Sequence, residues 1–107
     1  MGLFNLFNHV DINAEVEAMK SVKNAVLLDV RSKEEYSGGH IPGSKNLPVE
    51  NIEKVADVIK DKNTPVYVYC LRGSRSASAV SAMKKMGYTN AKSIGGIVAY
   101  KGNIVRG

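Results

Sequence analysis

The chain has 107 residues, 44% of them apolar and 23% charged, and fifteen Lys and Arg against ten Asp and Glu give a net charge of +5. That length holds one hydrophobic core and not two, so a single domain over residues 1–107 is expected. The composition excludes a disordered tail, a collagen-like fibre and a membrane protein, since no apolar run approaches the ~20 residues that a spanning helix needs.

The opening MGLFNLFNHV has no early Lys or Arg and no cleavage-site pattern, so it does not read as a secretory signal. Gly2 stands where a myristoylated glycine would, but Leu6 replaces the Ser or Thr that the modification wants. Phe4 and Phe7 are expected to pack on the domain or, with the rest of residues 1–8, to be loosely ordered. Val10-Asp11-Ile12 reads as a short first strand. Asn13 reads as the cap of a helix over residues 14–21, with Glu15 and Glu17 in its electropositive first turn.

Ala25 to Val30 is an apolar run of the kind buried on both faces of a parallel sheet. A short helix over 32–38 stops at Gly38-Gly39, and Lys45 to Leu47 forms a short strand closed by Pro48. Ile52, Val55, Ala56 and Ile59 recur at helical spacing and predict an amphipathic helix, with Glu50 and Glu53 early and Lys60 and Lys62 late. Asn63-Thr64-Pro65 is a turn, and Val66 to Cys70 is the strongest strand. A helix from about Ser76 to Met86 turns Ala79, Val80, Met83 and Met86 inward and stops at Gly87. Ala91 to Ile94 is a last strand, and Gly95-Gly96 leads into a helical turn ending near Gly102. Strands alternating with helices predict an α/β chain: a three-layer sandwich whose mostly parallel five-stranded sheet is flanked by helices.

The basic residues are dispersed, and Lys84-Lys85 is the only adjacent pair. Without a basic tract or an aromatic platform, neither a nucleic-acid partner nor a membrane is expected. A modest positive field suits a small anionic substrate. Cys70, the only cysteine, has no internal disulfide partner and no Cys/His set around it for a metal, so the chain reads as cytoplasmic, where thiols stay reduced.

The chemistry concentrates at Cys70. It ends a strand; Leu71, Arg72, Gly73, Ser74 and Arg75 follow, and a helix opens near Ser76. A strand, a tight glycine-containing loop and a helix N-terminus make an anion cradle, because loop N–H groups and the helix dipole converge on one spot. In open α/β sheets ligands bind beyond the carboxyl ends of the strands. A thiol held there is stabilised as a thiolate nucleophile, with Arg72 and Arg75 adding positive charge. The plainer alternative is a buried strand cysteine that only packs; Gly73, the two arginines and the following helix weigh against it.

These residues resemble the active loop of single-domain rhodaneses, Cys-x-x-Gly-x-Arg-Ser, at Cys70, Gly73, Arg75 and Ser76. Two further motifs of that family match in order. Asp29-Val30-Arg31, Glu35-Tyr36 and Gly39-His40-Ile41-Pro42-Gly43 form the first; Gly95-Gly96 followed by Tyr100, where the family usually has Trp, form the second. The resemblance spans about residues 9–102 and implies the rhodanese-like fold. It also implies sulfurtransferase activity through a persulfide on Cys70, with Leu71, Arg72, Gly73, Ser74, Arg75 and Ser76 around the substrate. The implied donor is thiosulfate-like and anionic, and the acceptor is cyanide, a thiol or a sulfur-acceptor protein. No metal or organic cofactor is called for.

Phosphatases of the same fold and arsenate reductases use Cys-x5-Arg, one residue longer; here Ser76 stands where their Arg would be. The tighter ring suits one sulfur better than a tetrahedral phosphate, which disfavours that rival. A non-catalytic binding module of the same family is the other alternative, disfavoured by the presence of Cys70. Asp29, Arg31 and Glu35 read as a scaffold for the loop, with Glu35 a partner for Arg75. His40 is either a base or, as the resemblance supports, an anchor of its turn. Arg72 is the expected substrate contact, while Tyr67 and Tyr69 read as packing residues.

Overall fold

The structure, a computed structural model, describes residues 10–107. The expectations for Phe4, Phe7 and the rest of residues 1–8 therefore lie outside the described residues. The sheet is built around β3 (Val66–Cys70), whose five residues are all buried. Its β-branched and aromatic side chains suit a pleated surface, and their alternation assigns each to a face. Beside it run β1 (Val26–Asp29) and β4 (Ala91–Gly96), and β2 (Lys45–Asn46) lies beyond β1, giving the order β2-β1-β3-β4 with all pairs parallel.

Val66, Val68 and Cys70 face one way with Leu28 and Val30, against α4 (Ser74–Lys85) and a segment made of a 3₁₀ stretch (Val49–Lys54) and the short α3 (Val55–Val58). Tyr67 and Tyr69 face the other way with Leu27 and Ile94, against α1 (Ile12–Met19) and its buried Ile12 and Val16. The result is the expected helix–sheet–helix sandwich. Two separate cores, one per face, explain why β3 reads as continuously apolar.

Four strands are present among the described residues rather than five. The missing one is Val10–Ile12, because Ile12 already opens α1. Asp11, not Asn13, is the N-cap, and its carboxylate accepts the Asn13 N–H at 2.9 Å. The buried pair Ile12 and Val16, four apart, fixes the inward face of that helix, and three residues of alternation cannot compete. Asn13 instead ties α1 to the chain's end. Its Oδ1 accepts Lys101 N–H at 2.8 Å and its Nδ2 donates to Ala99 O at 3.0 Å.

The predicted helix over Ile52–Ile59 is also altered. Asn51, at φ −110° and ψ 20°, breaks the run, and 3₁₀ winding shifts the phase of the residues after it. Val55 and Ile59 are buried, Val58 and Ile52 pack partly, and Ala56 is exposed. The last helix starts at Ser74, two residues early, and its Met86 is the C-cap and only partly buried. Gly87 follows at φ +101°. A 3₁₀ turn (Ile97–Ala99) follows β4. Tyr100, in place of the usual Trp, packs on the second core, and Gly102 leaves room for its ring because a Cβ there would overlap it.

β1 ends in a buried charge. Asp29 is fully buried and Arg31 nearly so, and the pair is bidentate, with Nη2–Oδ2 at 2.7 Å and Nε–Oδ1 at 3.1 Å. Arg31 Nη2 also donates to Gly39 O at 2.7 Å, holding the loop after α2 (Lys33–Gly38). Asn46 Nδ2 bridges Asp29 O and Arg31 O at 3.0 and 2.9 Å. Removing one partner leaves an uncompensated buried charge, so Asp29→Ala should lower stability by about 3 kcal/mol or more in urea unfolding. A loss under about 0.5 kcal/mol, as for a surface change, would show that the pair does not hold this strand end.

Candidate active site

The Cys70 side chain is buried, and its Sγ lies inside the turn after it. Gly73 N–H donates to Sγ at 3.0 Å and Ser76 N–H at 3.3 Å. Ser76 Oγ, fully buried, sits 3.6 Å from the same sulfur. Gly73 is the N-cap of α4 at φ +118°, a conformation that only glycine adopts without strain, and it lets the chain curl round the sulfur. Burial pushes the Cys70 thiol up in pKa, but hydrogen bonds from the Ser76 amide and hydroxyl and from the Gly73 and Arg72 amides outweigh it, and the net direction is down.

The strand beneath the loop is shaped to receive it. β4 keeps register with β3 as far as Val68↔Ser93, then carries an extra residue, so that Cys70 pairs with Gly96. Gly95, at φ +99°, takes up the bulge. A Cβ on Gly96 would overlap Leu71 O and Arg72 Cα, so the loop backbone rests directly on that glycine. Leu71 O in turn accepts the Val98 N–H at 3.2 Å.

Arg75 meets Glu35, with Nη1–Oε1 at 2.8 Å and Nη2–Oε2 at 3.0 Å. Glu35 is itself built into α2. Its Oε1 accepts Ser32 N–H at 2.9 Å while its own N–H donates to Ser32 Oγ at 3.1 Å, a capping box. The Arg75 charge is thus matched, and Arg72 is the exposed cation of the loop. Arg72 borders a cleft of about 480 Å³ whose floor includes Gly73, Ser93 and Gly96 and whose edges carry Val10 and Val98. Ser74 is exposed at the first turn of α4. A larger cleft of about 790 Å³ lies away from Cys70, between α1, Ile41-Pro42 and Tyr100-Lys101.

His40 stands outside this loop. Its Nδ1–H donates to Tyr36 O at 2.7 Å, its ring stacks on Tyr36 at 3.6 Å, and its backbone exchanges hydrogen bonds with Val105. Tyr69 joins that corner to the sheet, its hydroxyl accepting Ile41 N–H at 3.1 Å. Among the described residues no three His, Cys, Asp or Glu side chains group as metal ligands. Ser93 and Asn46 carry no mark of a site in the sequence motifs, whereas the capping serine Ser32 has one signal, the Ser-x-x-Glu spacing to Glu35.

The site belongs to a definable class: an α/β protein with an acidified cysteine wrapped by a short loop at the carboxyl end of its central parallel strand. The rhodanese-like domain family model matches residues 13–103, and the chain belongs to the rhodanese-like family. It is 38% identical over 71 residues to the thiosulfate sulfurtransferase PspE of Escherichia coli (strain K12), covering 65% of this chain and 68% of that one. It is 35% identical over 95 residues to the adenylyltransferase and sulfurtransferase uba4 of Ogataea parapolymorpha; that match covers 88% of this chain and 24% of the longer protein. The structure of a rhodanese with anions from E. coli superposes with a TM-score of 0.72 at 34% identity, covering 78% of this chain and 99% of that one. No helix among the described residues is long and apolar enough to cross a membrane.

The Arg75 guanidinium holds the Glu35 carboxyl at about 2, below its ordinary 4.5. A depressed folded value contributes stability that is present above the unfolded pKa and is lost as pH falls toward the folded one. Both side chains are about one-third exposed, so the screened contribution is about 1 kcal/mol. Between pH 4.5 and 2 the wild type should therefore lose more stability than Glu35→Gln, measured by urea midpoints across that range. Parallel pH profiles for the two proteins would show that the pair carries no such linkage.

Proposed function

We propose that the protein is a thiosulfate-type sulfurtransferase working by double displacement at Cys70. The observation that carries this is a lone sulfur held at 3.0 and 3.3 Å by two loop amides at the start of a helix. The membership of the chain in the rhodanese-like family supports it. The Cys70 thiolate attacks the outer sulfur of thiosulfate. The sulfur–sulfur bond of the donor breaks, sulfite departs with the electron pair, and Cys70 carries a persulfide anion. An acceptor thiolate or cyanide then attacks the terminal sulfur and releases the Cys70 thiolate. The total charge is unchanged in each step, and no proton is required once the thiolate exists.

Leu71, Gly73, Ser74 and Ser76 supply the wall of the substrate site, with the Gly73 and Ser76 amides positioned to stabilise negative sulfur as an oxyanion hole stabilises oxygen. Arg72 draws the dianionic donor to the mouth. Asp29, Arg31, Glu35 and His40 support the loop from the neighbouring strand end and turn, and Arg75 fastens it to Glu35. A thiol or a sulfur-acceptor protein takes the product sulfur, and a reducing, cytoplasmic setting suits a lone thiol.

Incubation with thiosulfate should add the mass of one sulfur to the intact protein, removable by cyanide or dithiothreitol and absent in Cys70→Ser. Loading of the mutant to the same extent would sink the mechanism. So would Cys70-dependent hydrolysis of p-nitrophenyl phosphate without persulfide formation, which would favour a phosphatase. Arg72→Ala should change stability by no more than about 0.5 kcal/mol while raising KM for thiosulfate several-fold. Unchanged thiosulfate kinetics would remove Arg72 from the substrate site.

A further inference from the structure

Behind the Cys70 sulfur lies a second hydroxyl that the proposed mechanism does not use. Ser93 Oγ is 2.6 Å from Ser76 Oγ, the closest side-chain contact either serine makes among the described residues. Ser93 comes from β4, where its register opposite Val68 puts it on the same face as Cys70 and under the first turn of α4. The β4 bulge begins only after it, so Ser93 keeps this position while Gly96 is re-aimed beneath the loop. Ser76 is fully buried, whereas Ser93 is half-buried and borders the 480 Å³ cleft.

Ser76 has one hydroxyl proton and three neighbours: Gly73 O at 3.0 Å, Ser93 Oγ at 2.6 Å and Cys70 Sγ at 3.6 Å. While Cys70 is a thiol, its S–H donates to Ser76 Oγ, and the Ser76 proton goes to Ser93 or Gly73. Once Cys70 is a thiolate, the sulfur needs a donor. Ser76 supplies it best when Ser93 donates into Ser76, because accepting one hydrogen bond strengthens a hydroxyl as the donor of the next. The two serines therefore have two proton arrangements, one matched to each state of the sulfur. The chain also reaches solvent. The thiol proton passes to Ser76 Oγ, the Ser76 proton to Ser93 Oγ, and the Ser93 proton to water in the cleft, each hydroxyl gaining one proton and losing one.

We propose that Ser93 is a positioning residue that acts through Ser76, turning a hydroxyl proton toward the Cys70 sulfur and giving the thiol proton a path to the cleft. This deepens the reading of Cys70 as the sulfur acceptor and rests on it. Arg75, which interacts with Glu35, Asp29 and the Cys70 sulfur, and the exposed Arg72 are the charged groups of the loop, while Lys92, the chain neighbour of Ser93, lies over the Tyr67 ring on the opposite face and pairs with Glu15; none of these contacts is made through Ser93.

The test is the pH profile of Cys70 alkylation by iodoacetamide in Ser93→Thr and Ser93→Val. These side chains are nearly isosteric and both suit a strand, so the pair isolates the hydroxyl. Ser93→Val should move the midpoint up by about half a pH unit, and Ser93→Thr should return it to the wild-type value. In a Ser76→Ala background, Ser93→Val should add no further shift. Equal midpoints in Thr and Val, or a Val shift that persists undiminished without the Ser76 hydroxyl, would overturn the proposal. If the branched side chains do not fold at this packed position, Ser93→Ala decides in their place: an upward shift supports the relay, and an unmoved midpoint overturns it. No sulfur donor is used, so failure to form a persulfide and failure of this relay are separate results.

Discussion

The site depends on one close approach: the backbone of Leu71 and Arg72 lies directly on Gly96. Any side chain at that position would lift the loop by its Cβ. The Gly73 and Ser76 amides, now at 3.0 and 3.3 Å from the sulfur, would then lose their common focus. The approach in turn needs the β4 bulge, since regular pairing after Val68↔Ser93 would bring a different residue beneath the loop. Gly95 at φ +99° and Gly73 at φ +118° accept the two backbone conformations this demands. Three glycines from two chain segments thus set the path of the backbone around Cys70.

Charge is arranged around the Cys70 loop by pairing all but one of the nearby cations. Arg31 is spent on Asp29 inside the fold, and Arg75 on Glu35 at its edge. The first pair is buried and ties β1 to the loop after α2; the second crosses from the α2 cap to the first turn of α4. Only the second pair touches the Cys70 loop, through Arg75. Arg72 is left exposed and borders the cleft. Glu35 thus sets the two arginines apart: Arg75 is paired and Arg72 is exposed.

Much of this is legible in the sequence. The alternation of Val66, Val68 and Cys70 with Tyr67 and Tyr69 separates the two cores as the structure does. The glycine, the arginines and the helix after Cys70 mark the loop, and the Glu35–Arg75 contact is expected from the motifs. Where reading fails, local competition is the cause. Three residues at Val10–Ile12 alternate too briefly to outweigh the Asp11 cap and the Ile12–Val16 pair, so a helix replaces a strand. After Pro48 the winding is 3₁₀ as far as Lys54, which rotates Ala56 out of the face that a uniform 3.6-residue period assigns it. Ser93 and Asn46 are single polar residues in short strands, and nothing in periodicity or spacing tells a polar side chain facing solvent from one facing a buried partner.

The acidity of Cys70 comes from the kind of charge that faces it. The sulfur is buried, which alone would keep it protonated. The opposing force comes mainly from amide and hydroxyl dipoles within hydrogen-bond distance, not from a neighbouring cation. Such dipoles are fixed by the backbone, need no reorganisation when charge develops, and are shielded by the loop from the salt that screens exposed ion pairs. They also converge on a point rather than a plane. A tetrahedral phosphoryl group has oxygens spread round its centre and needs a wider ring of donors, whereas a persulfide presents charge on one atom close to where the thiolate was. A ring closed by Gly73 and Ser76 around one sulfur thus agrees with the proposed persulfide chemistry, in which the reacting charge would move by a single sulfur–sulfur bond.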